Sequence, residues 1–298
     1  MYVDRFGWIP RPLDLEGSFG QLRTLSDFDD AVATITRRAD YEGYVYPSFE
    51  NVGAWREPHE PSNVIDYVAR PEKIHKVPAT HELSLPAVSD DPAILRNADS
   101  GFLIHFLGFL LGYRCQFWDW WVDLRVSVRS QADHDVFSPK ILSKCLDLGI
   151  SSWREWEQRE RTIFINAMFL HNRGSGYQWD WERLQTEYQV LDAFYNVASS
   201  RFKLPKSTHG KRIEILCKQF PLYWLPDLVD RIVRVRNNLI HEALWGGQTP
   251  GTAPDEETFY APIWLHNFNQ RLGLAILGFT NEYVSSRWNT LGTFAFTV

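Results

Sequence analysis

Helical periodicity sustained from about residue 100 onward is the feature that most limits what this chain can fold into. Leu265, Phe268, Leu272, Ile276, Phe279 and Tyr283 recur at steps of three and four, so they share one stripe of a helix spanning about 262–287. Leu184, Tyr188, Leu191, Tyr195 and Ala198 do the same over about 179–200, with Asp192 flanking the stripe. Further helices are expected over 101–113, continuing through 121, and over 139–148. Another is expected over 153–171 with Ser152 as its N-cap, then a glycine-containing break at 173–177. Helices at 210–219 and 226–244 follow, the latter with Pro226 in its first turn, and 246–254 reads as a loop. The first hundred residues read differently: nine of the sixteen prolines fall there, and short alternating runs at 32–38, 44–49, 63–68 and 81–85 are expected as strands. Residues 86–99 form the expected connector, with a helical turn around 92–97. The fold class is therefore α+β, a small β-rich domain over 1–95 followed by a mainly α-helical domain over 96–298.

Hydrophobic residues make up 44% of the chain, enough for a sizeable core. No signal peptide is expected, because the first twelve residues include Asp4, Arg5, Pro10 and Pro12 and lack a continuous apolar run. The longest apolar run, 102–111, contains His105 and is soon followed by Arg114, Asp119 and Asp123, too short and too polar in its setting for a membrane span. Gly108 and Gly112 have GxxxG spacing, read as close packing in a soluble helix. Cys115, Cys145 and Cys217 are odd in number and widely spaced, which suits reduced thiols in a cytoplasmic protein. His59 with Glu60, His75, and His81 with Glu82 match no metal-ligand spacing, so neither a metal nor a cofactor is expected. The thirteen tryptophans suit packing more than stacking on bases.

Net charge is −6, and nearly all of the acidity is N-terminal: residues 1–100 hold ten basic against seventeen acidic residues, whereas the remainder is close to balanced. Within 201–241 nine basic residues, among them Lys211, Arg212, Arg231, Arg234 and Arg236, face only Glu214, Asp227 and Asp230. A local positive surface thus approaches the segment Arg234–His241. There Leu228, Ile232, Val235, Leu239 and Ala243 form the inward stripe, and Asn237 and His241 are an i,i+4 pair on the polar side with Arg234 close by. Arg236 lies about 140° from His241 on an ideal helix. Either Arg236 reaches around the helix, or a second subunit completes the site.

Arg236, Asn237 and His241 fit the hallmark of the HEPN superfamily, an arginine and a polar residue followed within a few positions by a histidine, and the chain resembles the larger, ApeA-like HEPN proteins. The resemblance runs from about 100 to 288, is most specific around 225–245, and draws on the 188–195 helix, the 225–228 helix start and Trp245. It implies an all-α domain, frequent dimerisation and, in many members, metal-independent ribonuclease activity in defence or toxin systems; other members only bind.

Roles follow from side-chain chemistry. His241 is the candidate acid–base group for the ribose 2′-hydroxyl. Arg236 is the candidate holder of the scissile phosphate. Asn237 would orient either of them, and Arg234 is the alternative phosphate ligand. Asp192 is preferred over Glu182 and Glu187 as the carboxylate that steadies Arg236. Arg231, Arg234, Lys211 and Arg212 are the expected RNA-binding residues. The expected activity is a metal-independent endoribonuclease acting through 2′-hydroxyl attack, as an antiviral or toxin component that works as a homodimer with a possible regulatory partner. The alternative is a noncatalytic HEPN-type protein that binds RNA or senses an effector.

Overall fold

The structure is a computed structural model describing residues 2–47, 73–86, 96–132, 134–135, 138–245, 256–290 and 294–298. Strands β1 (Tyr2–Gly7), β2 (Leu15–Gly17) and β3 (Gly20–Thr24) open the chain, followed by helix α1 (Phe28–Arg38) and strands β4 (Tyr44–Pro47), β5 (Lys73–Ile74) and β6 (His81–Leu85). Helix α2 (Asp99–Leu111) and the short strands β7 (Gln116–Phe117), β8 (Val126–Ser127) and β9 (His134–Asp135) come next. The rest is helical: α3 (Pro139–Arg154), α4 (Gln158–Arg173), α5 (Asp180–Phe202), α6 (His209–Gln219), α7 (Pro226–Glu242), α8 (Glu256–Ile276) and α9 (Glu282–Ser285), before strand β10 (Phe294–Ala295). The fold is α+β, as the sequence implies.

An antiparallel sheet of order β2-β3-β6-β1-β7 forms one layer, its register running from Tyr2 opposite Leu85 to Phe6 opposite His81. In β6 the side chains of His81, Leu83 and Leu85 are buried and those between them less so, the period-2 pattern of a sheet with one covered face. Strand β7 pairs with β1, so the segments 1–95 and 96–298 contribute to one sheet. A single apolar cluster runs from Phe6, Leu22 and Leu83 through Phe102 and Phe106 to Leu191, Phe194, Leu265 and Leu272. The expected strand at 63–68 and the expected loop at 246–254 lie outside the described residues.

Several local expectations are corrected. The run expected as a strand over 32–38 belongs to α1: Phe28, Ala31 and Ile35 are buried at helical steps, and Asp29 and Asp30 at the start with Arg37 and Arg38 at the end complement the helix dipole. Those effects outweigh the β-branched character of Val32, Thr34 and Ile35. Helix α2 stops at Gly112 instead of continuing through 121, because Gly112 adopts φ 66° and a Cβ there would meet the Ala132 nitrogen at 2.1 Å. Ser152 lies inside α3. The cap of that helix is Ser138, whose side chain accepts from the Ile141 nitrogen, and α4 begins five residues later than expected, where Glu160 accepts from the Glu157 nitrogen. The last long helix starts at Glu256, includes Pro262, and ends at Ile276 just before Gly278 at φ 96°.

Every residue of α2 from Ser100 to Leu111 is buried, so this helix is apolar all round and serves as the central post between the sheet and α3, α4 and α8. Its buried phenylalanines contribute roughly 1.5–3 kcal/mol each by leaving water. Burial also holds two histidines neutral: His81, between Phe6 and Phe28, and His105, among Phe117, Trp120 and Phe169, are each lowered to about 4. Their folded-state values lie below the ordinary 6.5, so the unfolded chain binds more protons between about pH 6.5 and 4 and stability falls as pH falls through that window. Denaturant midpoints measured from pH 7 to 4 are expected to drop steadily, and His105→Asn or His81→Asn should flatten the slope; a midpoint independent of pH down to 4 would contradict these assignments.

Candidate functional site

Helix α7 begins at Pro226, whose missing N–H costs nothing in the first turn, and packs inward through Val229, Ile232 and Val235. That leaves Asn237 and His241 exposed and Arg236 half-buried. The Arg236 Nη1 donates to Asn237 Oδ1 at 3.0 Å and lies 3.2 Å from His241 Nε2. Of the two arrangements left open by the sequence, the chain adopts the first: the long arginine side chain bends around its own helix, and one subunit assembles the pair. An arginine has only donors, so in this contact the histidine Nε2 is the acceptor and its proton sits on Nδ1.

The guanidinium of Arg236 also lies 5.5 Å from the centroid of the Tyr188 ring on α5. Together these helices enclose a cleft of about 200 Å³ whose walls include Leu184, Gln185, Tyr188, Gln189 and Arg236. Tyr188 is 5% exposed, and its hydroxyl is buried without a hydrogen-bond partner among the described residues. Burial pushes its pKa up to about 12, against the pull of the Arg236 charge.

Asp192 lines the same cleft but does not hold Arg236. Its carboxylate pairs with Arg212 and lies 3.5 Å from His209 Nδ1, because α6 places both groups over this turn of α5. Arg234 is also re-placed: it turns toward α8, with Nη2 2.6 Å from Glu257, and Arg231 sits 3.7 Å from the same carboxylate. Thus Arg234 does not share the site of His241, and three of the four residues expected to bind RNA, Arg212, Arg231 and Arg234, already face carboxylates. Lys211 is exposed on α6. His209 escaped the sequence reading, which counted only lysine and arginine in that basic stretch. Its ring stands edge-on to Tyr188 at 6.0 Å. Burial, then the charges of Arg212 and Arg236, hold its pKa below the ordinary value, against Asp192.

Glu187, one residue before Tyr188, points the other way, into the core. It accepts from His171 Nδ1 at 3.0 Å, His266 Nδ1 at 2.8 Å and Asn269 Nδ2 at 2.8 Å, joining α4, α5 and α8. Burial alone would raise its pKa, but the two imidazoles more than offset this and hold the carboxyl well below the usual range. Burial and the neighbouring ring lower His266 to about 4. His171, Glu187 and His266 are metal-ligand types gathered within 4.8 Å. The two rings, however, stack with centroids 4.0 Å apart and planes 7° from parallel. Their in-plane lone pairs therefore run side by side and do not converge on one ion at about 2.0–2.1 Å. As arranged, the cluster is a hydrogen-bonded carboxylate with its acceptor sites filled.

Compared with known proteins, the chain matches no family model, no curated protein and no solved structure. Among the described residues, no helix is long and apolar enough to cross a membrane.

Removing the carboxylate should be costly, because two buried imidazoles would lose their acceptor together, while Asn269 Nδ2 would keep the Glu187 carbonyl oxygen at 2.7 Å. Glu187→Ala is expected to lower the unfolding free energy by about 3–5 kcal/mol in denaturant titrations. A loss below about 1 kcal/mol would show that the network is not structural.

Proposed function

We propose that this chain is an endoribonuclease of the HEPN type that uses side-chain groups alone for the chemical step. The observation that carries the reading is the 3.2 Å approach of Arg236 Nη1 to His241 Nε2 on an open face of α7. An acid–base group and a forked permanent cation within one hydrogen bond of each other are what internal transesterification needs. In the proposed step, Arg236 Nη1 shifts from His241 Nε2 to the phosphate, and the freed Nε2 lone pair takes the ribose 2′-hydroxyl proton as that oxygen attacks phosphorus. Arg236 stabilises the charge growing on the phosphoryl oxygens. The P–O5′ bond breaks, and the departing oxygen takes a proton from solvent water, leaving a 2′,3′-cyclic phosphate and a 5′-hydroxyl, while the imidazolium returns its proton to solvent.

Arg236 is suited to this because its partners are neutral. Arg201, Arg212, Arg231 and Arg234 all lie within 4 Å of carboxylates, whereas Arg236 contacts an amide, an imidazole and an aromatic face. Its charge is left to be balanced by an incoming phosphate. A noncatalytic RNA-binding or effector-sensing role is the second reading, favoured by the engagement of Nη1 with its own helix. The defence or toxin setting, the cytoplasmic location and a regulatory partner rest on the HEPN resemblance. A homodimer, no longer required to assemble the pair, rests on that resemblance and on Ile240 and Leu244, which are 45% and 48% exposed beside His241.

Purified protein is expected to cut single-stranded RNA in EDTA, leaving cyclic phosphate ends. His241→Ala and Arg236→Ala should each lower the rate by at least about a hundredfold, and Arg234→Ala should leave most of it. Cleavage that vanishes on chelation, or survives in His241→Ala, would overturn the mechanism. RNA binding without any strand scission would favour the second reading. Light scattering that shows a monomer at concentrations where cleavage is maximal would remove the dimer.

A further inference from the structure

The cleft between α5 and α7 does more than hold Arg236 in place. Gln185 and Gln189 stand one helical turn apart at its wall, and neither amide makes a hydrogen bond to another described residue. The same wall carries the buried, unpartnered hydroxyl of Tyr188. Buried polar groups in folded proteins are almost always satisfied, so the orphan hydroxyl marks a place where a ligand supplies a partner, and the two amides, half-buried and exposed, stand beside it able to join the same ligand. Leu184, Leu239 and Ile240 make the remaining walls apolar, apart from Asp192, whose carboxylate is already paired with Arg212. An apolar slot with a few convergent polar groups is how small, flat heteroaromatic groups are held.

We infer that this cleft is a pocket for one unpaired nucleobase, that of the nucleotide whose phosphate Arg236 grips. The inference rests on the ribonuclease reading for its substrate, but the pocket is defined by groups other than the catalytic pair. A volume of about 200 Å³ is on the scale of a single base, which suits a substrate that is single-stranded or looped at the cut. Tyr188 and the leucines would cover the base, and the glutamines would read its edge. A carboxamide presents a donor and an acceptor side by side, the pattern that matches N7 and N6 of adenine. Arg236 links pocket and chemistry, since it lines the cleft and contacts His241 through the same guanidinium.

Calorimetry on the intact chain tests this without requiring turnover. Adenosine 3′-monophosphate is expected to bind at least about tenfold more tightly than ribose 5-phosphate, in keeping with the worth of one stacked base. The double variant Gln185→Ala/Gln189→Ala, whose side chains lie at the surface end of the cleft, should remove most of that margin while its thermal unfolding stays unchanged. Equal binding of the two compounds, no binding of either, or an undiminished margin in the double variant would overturn the pocket. Cleavage of an oligonucleotide abasic at the cut site provides the complementary arm. Undiminished cutting there would sink the base pocket and leave the nuclease intact. Base-dependent nucleotide binding by a protein that cuts no RNA would sink the nuclease and leave the pocket.

Discussion

The buried carboxylate of Glu187 is the interaction on which the rest of this architecture turns. A charge with 0% exposure is tolerated only if it is well hydrogen-bonded, and its three donors come from two neighbouring helices: His171 on α4, and His266 and Asn269 one turn apart on α8. These bonds fix the rotation of α5 about its own axis. One residue on, a rotation of about 100° turns Tyr188 to a different face of the helix, where it lines the α5–α7 cleft. The core network and the candidate site are thus neighbouring residues of one helix, and an error in the first would misplace the second.

Around the cleft, charge is distributed with a clear asymmetry. Asp192 neutralises Arg212, and Glu257 neutralises Arg231 and Arg234, so the basic segment is less positive than its composition suggests. Exposed pairs of this kind add little stability, but they remove free charge from the surface. Arg236 alone among these arginines is held by neutral groups, among the described residues. That leaves one positive charge without a carboxylate partner at the mouth of a largely apolar cleft.

Much of this was legible in the sequence, and the failures have physical causes. The helical half could be read because α5, α7 and α8 repeat apolar residues at helical steps over long spans, whereas helical position joined only Asn237 and His241, and Arg236 was added to them by the HEPN resemblance. Ends were misread where tertiary structure decides them: Gly112 stops α2 because a neighbouring loop leaves no space for a side chain, which no local pattern reveals. The partner of Arg236 was misassigned because i,i+4 reasoning gives the face of Asp192 but not which arginine a third helix brings to it. His171, Glu187 and His266 were invisible because their spacing of 16 and 79 residues carries no motif, and only the packing of three helices unites them.

A five-residue separation on a helix places two side chains about 140° apart, and the contact between Arg236 and His241 shows how such a pair can still meet. The arginine is long enough to cross the helix surface, and the aromatic face of Tyr188 supports its guanidinium along the way. Its fork then divides the work: Nη1 is occupied by Asn237 and His241, and the other nitrogens make no hydrogen bond to described residues. A lysine in this position would offer one nitrogen for both tasks and could not hold the histidine and a phosphate oxygen in one fixed plane. The reach of a single arginine therefore brings the pair together within one chain, the first of the two arrangements that the sequence left open.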